Sequence, residues 1–316
     1  MYTKFRSISC LIVIFLSSNQ LISFSQDIPG IIKSVMEDTR NKKTAKKYNE
    51  LNQLLNEKAL QTVNEIKPYL ADTSSEVKEL AVNIIGRIGP KIQDKKVRTD
   101  IVVYLSQACI DKASGVRNEA VGKLMYFKKE DFSDKSSNNI RSALSSRTYV
   151  NKNLIRLAGF IKPPGIDTIL NNIFKEAAFK NHETRWSIKL ALARTGDREA
   201  IDYCLNIAKM NGMNDGVVYE ILPGLVYTRT RGAIDYLITV INSDDKSCTS
   251  SNADNPRKIL CGYRVMEYLA PVINEFPLKI KANGDIDTND YEKALQTVRE
   301  WFRLHKDNYM IDDTSF

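Results

Sequence analysis

The chain has 316 residues and carries 46 lysines and arginines against 38 aspartates and glutamates, a net charge of +8. Its 14 glycines and 9 prolines are too few for a fibrous or disordered chain. A chain of this length can bury a large core, as one or two compact domains or as one elongated array.

The first residues carry an address. Lys4 and Arg6 form a basic start, Ile8 to Leu16 is an apolar run broken by Ser9 and Cys10, and Ser23-Phe24-Ser25 precedes Gln26. Basic start, short apolar core and small residues before a cut are the anatomy of a cleavable secretory signal. A membrane-spanning helix needs about 20 apolar residues, and Ser17-Ser18-Asn19-Gln20 interrupts this one earlier. Cys10 lies inside the apolar core rather than after it, which argues against a lipid anchor. The expectation is a signal over residues 1–25 and an exported product, periplasmic or extracellular. Lys4 and Arg6 are the only charged side chains of residues 1–26, so their loss lowers the net charge from +8 to +6. That excess permits acidic partners such as anionic glycans or lipid head groups.

Residues 26–50 read as a basic helical segment. Arg40 to Lys47 is rich in cations, and Tyr48 to Leu55 has the pattern of a capping helix. Residues 51–275 repeat. Val77-Lys78-Glu79-Leu80-Ala81 leads to Ile84, Ile85, Gly86 and Gly89, and Val116-Arg117-Asn118-Glu119-Ala120-Val121 leads to Leu124. The pattern returns from Val150 through Leu154, Leu157, Ala158 and Gly159, then from Thr184-Arg185 through Ile188, Ala191, Leu192 and Gly196. It returns again from Val218 through Leu222, Leu225 and Val226. Steps of about 30 to 45 residues signal stacked helical hairpins. Within each unit the apolar residues follow the stripe of an amphipathic helix. A first helix precedes each, as at 59–70, 97–110, 166–174, 200–208 and 233–241. No single pair can bury its own apolar face, so stacked neighbours supply the core.

These residues resemble HEAT repeats. That family's unit is a first helix, an Asp-bearing turn, and Val-Arg opening a second helix with small residues and a late glycine. Asp72 with Val77-Lys78, and Asp111 with Val116-Arg117, match it well. Thr184-Arg185 keeps the basic residue but has Phe179 where the aspartate would fall, and Val150-Asn151 and Val218-Tyr219 lose the basic residue. The resemblance implies an all-α fold, an α-α superhelix of HEAT-type solenoid form. It also gives Asp72, Asp111, Lys78, Arg117 and Arg185 the structural role of a turn-to-helix ladder between units. About activity it says little, because the family's members serve mostly as scaffolds.

Residues 276–316 depart from the repeat. Leu278-Lys279-Ile280-Lys281 before Asn283-Gly284 predicts a small β-hairpin over 278–287 near the C-terminus. Asn289 with Glu292 resembles a capping box, opening a last helix through Leu295, Val298, Trp301, Phe302 and His305 that caps the array. Four cysteines lie beyond the signal. Cys109 and Cys204 occupy apolar helical positions and read as buried thiols. Cys248 and Cys261 flank the polar loop 249–257, which suits a disulfide in an oxidising compartment. The alternative places Cys261 buried in the sixth second helix and Cys248 exposed.

Signatures of chemistry are sparse. His182 and His305 stand far apart in sequence, and the chain lacks the zinc, nucleophile-elbow and phosphate-loop motifs. Asp285, Asp287 and Asn289 alternate like a calcium loop, but Asp290 and Gln296 stand where a glycine and a bidentate glutamate are needed. Neither a cofactor nor a metal is expected. In HEAT arrays the second helices line the concave groove. The side chains counted as pointing away from the core stripe are Lys152, Ile155 and Arg156, then Trp186, Lys189 and Leu190, then Glu220, Pro223 and Gly224. Trp186 flanked by Lys152, Arg156 and Lys189 is the candidate grip on a partner through stacking and charge. The expected function is an exported, non-catalytic scaffold that binds a protein or peptide. The alternative is a HEAT-like enzyme or binder acting on a polyanion: nucleic acid, anionic glycan or membrane surface. Export argues against nucleic acid, because genomic DNA lies in the cytoplasm.

Overall fold

The computed structural model describes residues 27–147, 149–176, 181–250 and 254–316. The expected signal segment and Phe179 lie outside the described residues. Among those described the protein is mostly helical, 67% with 15 α-helices, and has one two-stranded antiparallel sheet. None of these helices is long and apolar enough to cross a membrane.

The segment before the repeats is more than a charged lead-in. Helix α1 (Ile28–Arg40) opens on Pro29, with the Asp27 carboxylate accepting from the Gly30 amide at 3.0 Å. Its Ile28, Ile31, Ile32, Val35 and Met36 recur at helical spacing and are buried. Helix α2 (Tyr48–Glu57) buries Leu51, Leu54 and Leu55.

Helices then come in pairs: α3 (Ala59–Ile66) with α4 (Ser75–Ile88), α5 (Lys95–Ala108) with α6 (Ser114–Leu124), and α7 (Asp134–Ser145) with α8 (Lys152–Ile161). They continue as α9 (Ile166–Lys175) with α10 (His182–Thr195), α11 (Arg198–Met210) with α12 (Leu222–Thr228), and α13 (Arg231–Ile241) with α14 (Gly262–Leu269). A last helix, α15 (Tyr291–His305), packs on α13 and α14. Second helices contact second helices along the chain, α4 to α6, α8, α10, α12 and α14 in turn. A continuous apolar core runs from Ile28 to Tyr309.

The start of each second helix shows where the unit's register lies. The Ser74 hydroxyl accepts from the Val77 amide at 3.3 Å, and Asn151, Asn181 and Asn214 side chains accept from Leu154, Thr184 and Val217 at 2.8, 2.8 and 3.1 Å, the last opening a π-helical turn, Val217–Ile221, that leads into α12. Equivalent buried anchors are therefore Val77, Val116, Leu154, Thr184 and Val217. Val150 precedes its helix, one turn early, and Val218 is one residue late. The apolar stripe is continuous across the cap, so periodicity alone slides by a turn without penalty.

Close packing of second helices also corrects which side chains point outward. Ile155 and Leu190 are fully buried, and Gly224 is buried too. A methyl group built on Gly224 would lie 2.9 Å from a Leu190 methyl, so this position faces the neighbouring second helix rather than a groove. Gly159 is tighter: its added Cβ would stand 2.7 Å from the Ala191 backbone. The ladder between units forms where its aspartates exist, with Arg40 on Asp72 and Lys78 on Asp111, each at 2.5 Å. Where they do not, aromatic rings take over. Arg117 binds the carbonyls of Asp111 and Lys112 and lies 4.7 Å from the Tyr149 ring, and Arg185 lies 3.8 Å from the Phe174 ring.

The sheet is not where the turn signal pointed. Strands β1 (Cys248–Thr249) and β2 (Lys258–Ile259) pair antiparallel, and Cys248 is bonded to Cys261 with Cα atoms 5.1 Å apart. The 278–287 segment makes a turn at Gly284, φ +91°, but only one isolated bridge, Ile280 to Ile286. Its alternate side chains, Lys279 and Lys281, are exposed, so little apolar burial supports longer strands. Helix α15 is capped by Asp290, whose carboxylate accepts from the Lys293 amide at 2.9 Å, one residue after the expected Asn289.

Candidate functional site

Of the four side chains expected to form one grip, two share a direction. Arg156 of α8 places its guanidinium 5.9 Å from the Tyr227 ring of α12, and burial lowers its pKa. Trp186 of α10 packs beside Gly224 of α12. Lys152 pairs with Glu183 at 2.6 Å, an exposed bridge of small value. Lys189 turns elsewhere, its ammonium 4.8 Å from the Phe174 ring and 5.5 Å from the Tyr203 ring. Arg185 and Lys189 form one stripe of α10 facing α9 and α11, while Trp186 and Leu190 form the next, facing α12. Lys189 therefore does not join Trp186.

A different constellation assembles at the far ends of the second helices. Each of four successive units sends one cation there: Lys129 just beyond α6, Lys162 after α8, Arg194 in the last turn of α10, and Arg229 after α12. Cations at helix C-termini complement the exposed carbonyls and the helix dipole. Lys162 and Arg229 end their helices in the left-handed conformation, φ +52° and +54°, which turns the chain away from the helix axis.

Across these ends runs the segment that follows α15. It returns from Tyr309, whose hydroxyl donates to Asp235 at 2.6 Å, past Ile311, which bridges Ile273. The Asp312 amide donates to the Val272 carbonyl at 2.9 Å, and the Thr314 carbonyl accepts from the Lys129 amide at 2.9 Å. Asp313 receives Lys129 at 2.7 Å, Arg194 at 3.1 Å and Lys162 at 3.4 Å. Burial raises the Asp313 pKa, but the Lys129 hydrogen bond and the charges of Arg194 and Lys162 outweigh it and hold the carboxyl below its ordinary range. Arg194 also donates to the Ser315 carbonyl at 2.9 Å, and Arg229 to the Asp312 and Phe316 carbonyls at 2.9 and 3.2 Å. Burial, reinforced by Arg194, pulls the Arg229 pKa down to about 10.

Aromatic rings complete the groove. Arg194 lies 4.8 Å from the rings of both Phe160 and Tyr227, and Phe316 packs on the same two rings at 5.7 and 5.5 Å. The Tyr227 hydroxyl donates to the Arg156 carbonyl at 2.5 Å. Beside Phe316 a pocket of about 350 Å³ opens between Arg156, Pro223, Tyr268 and Val272. Arg156 and Pro223 were expected to line the concave groove of the second helices; Lys129, Lys162, Arg194, Arg229 and the whole 309–316 segment were not expected in a site. Their signal in the sequence is one basic residue closing each unit, together with the acidic pair Asp312-Asp313.

Two other cavities differ in kind. A 780 Å³ crevice between α13 and α15 is lined by Arg231, Asp235, Arg299 and Arg303, whose charges are engaged locally. Arg299 caps α13 through the Ile241 and Ser243 carbonyls, both at 2.8 Å. A 240 Å³ pocket beside the disulfide contains Glu267, which accepts from Arg264 and, at 2.7 Å, from Tyr291. Burial and that hydrogen bond raise the Tyr291 pKa to about 12. Among the described residues no three His, Cys, Asp or Glu side chains are grouped to hold a metal ion. Cys109 and Cys204 are buried free thiols, and burial raises the Cys204 pKa to about 12. Compared with known protein families and with curated proteins, the chain matches no family and no curated sequence.

Proposed function

We propose that the chain is a non-catalytic interaction scaffold, a HEAT-type helical solenoid that is exported and grips a protein or peptide through the face of its second helices. Support for the solenoid comes from second helices that pack on second helices through six consecutive units. One observation carries the binding role. A row of cations, one per unit, already holds an extended stretch of polypeptide by its carbonyls and a carboxylate, while Phe160 and Tyr227 pack on its aromatic ring. Recognition through a row of equivalent positions is what a quasi-one-dimensional repeat offers.

A photo-reactive residue placed at Glu220 or Pro223, on the second-helix face, should crosslink a protein in the native cell envelope. The same group at Asp202 on α11 should not. Adducts from Asp202 alone, or none from either face, would refute the role.

A second reading, a binder of polyanions such as anionic glycan, membrane surface or nucleic acid, is favoured by the same cations. It predicts retention on heparin that weakens steeply with salt and is lost when Lys129 and Lys162 are replaced by glutamate.

A further inference from the structure

The cations of the groove are incompletely matched by the chain's own segment. Lys129, Lys162 and Arg194 all converge on Asp313. Asp312 is spent locally, its oxygens accepting from the Thr314 amide and hydroxyl and the Ser315 hydroxyl at 2.9, 2.6 and 2.9 Å. The Arg194 side chain is 0% exposed, yet its Nε and Nη1 have no hydrogen-bond acceptor among the described residues. A buried charged donor without an acceptor is costly, so the site can gain from a better-matched occupant. The pocket beside Phe316 also has room for more than that ring fills. The hold is shallow at its acidic point, since Asp313 remains 37% exposed, and the backbone is tied at three points, Met310 to Asn274, Asp312 to Val272 and Thr314 to Lys129.

We propose that the groove from Lys129 to Arg229 recognises an extended acidic peptide bearing a carboxylate and, three residues later, an aromatic side chain. Residues 312–316 are then its tethered occupant, which a partner segment of the same chemistry displaces. The inference rests on the reading of the chain as a peptide-binding scaffold and names the partner's chemistry. A short tether presents the segment at about millimolar effective concentration. A free peptide therefore competes weakly with the intact segment and strongly with a disarmed one.

The test uses the full chain and a fluorescein-labelled peptide of residues 310–316, MIDDTSF, with an amidated end. In the variant D313A/F316A the tethered segment loses both contacts, and anisotropy should show the peptide binding at least ten-fold tighter than to the wild type. A peptide with alanine at both positions should not bind, and adding K129E and K162E to the variant should weaken binding at least ten-fold. Equal affinity for the two proteins, or for the two peptides, would overturn the proposal. If the variant fails to fold by circular dichroism, the wild type decides. Millimolar MIDDTSF should then speed hydrogen exchange at the Asp312 amide, and unchanged exchange would overturn the proposal. Wild-type dimers that persist in excess peptide would assign the groove to a second copy of the chain and would also overturn it. Crosslinking to a partner at Glu220 or Pro223 without peptide binding defeats this inference and spares the scaffold role; the converse spares the groove's chemistry.

Discussion

Arg194 and Asp313 stand 119 residues apart in the chain and 3.1 Å apart in space. The arginine is sealed between two aromatic rings, while the aspartate lies at the groove's rim. This asymmetry of burial decides what each side chain is worth.

Replacing Asp313 by alanine leaves the buried Arg194 without its carboxylate and separates Lys129 and Lys162 from their shared partner. Hydrogen bonds to charged groups contribute about 1.5–3 kcal/mol, and partial exposure places this one near the lower end. Urea denaturation should show a loss of about 1.5 kcal/mol. Arg194→Met should cost less, because methionine fills the slot between Phe160 and Tyr227, removes two unsatisfied donors and leaves Asp313 with two lysines. The reverse order of the two costs would contradict the asymmetry.

Docking of the 309–316 segment should depend on pH with a defined sign. Asp313 has its pKa lowered in the docked chain. Its contribution is therefore fully present above the ordinary aspartate value, about 3.9, and is lost as pH falls through the lower docked value. Hydrogen exchange at the Asp312 and Lys129 amides, corrected for intrinsic rates, should be flat from pH 7 to about 5 and less protected below about pH 4. Protection that weakens between pH 7 and 5 would point to a different titrating group.

Two helical glycines should respond in opposite directions to alanine. At Gly122 nothing lies within 4 Å of an added Cβ, so Gly122→Ala should stabilise by about 0.5–1 kcal/mol through helix propensity. At Gly159 the new methyl would press on Ala191 and the Tyr227 hydroxyl at 2.7 and 2.6 Å. Overpacking costs about 1–3 kcal/mol, so Gly159→Ala should destabilise and, by moving Tyr227, loosen Phe316. Matching midpoint shifts in a thermal melt would show that α8 and α10 are not held at this separation.

In a chain starting at Gln26, unfolded without reductant, two thiols should react, Cys109 and Cys204. Four reactive thiols would exclude the bridge between Cys248 and Cys261. Removing that bridge with C248S/C261S should cost about 3 kcal/mol, less any strain in the native loop. The effect should also reach the turn that leads into α12, since Asp215 holds the Thr249 amide at 2.9 Å.

Local pattern carried the helices. The i, i+4, i+7 apolar stripe and Ser, Asn and Asp caps act within a few residues, so most helices from α3 to α14 were legible from periodicity, α7 excepted, and so was α15 through Leu295, Val298 and Phe302. Register was less so: Val150 and Leu154 are equally apolar, and the Asn151 cap chooses between them. Outward and inward faces were misjudged at Ile155 and Leu190 because a helix has two buried sides when its neighbours stack on both, and periodicity reports only one. The candidate site was the least legible. Lys129, Lys162, Arg194 and Arg229 are unremarkable cations at or beyond the ends of their own helices, and Asp313 is an ordinary acid in a polar run. Their meeting depends on four successive helix ends lying side by side and on the segment after α15 turning back across them. Contacts between residues 83 to 184 positions apart leave no local period; only packing of the whole chain brings them within reach of a hydrogen bond.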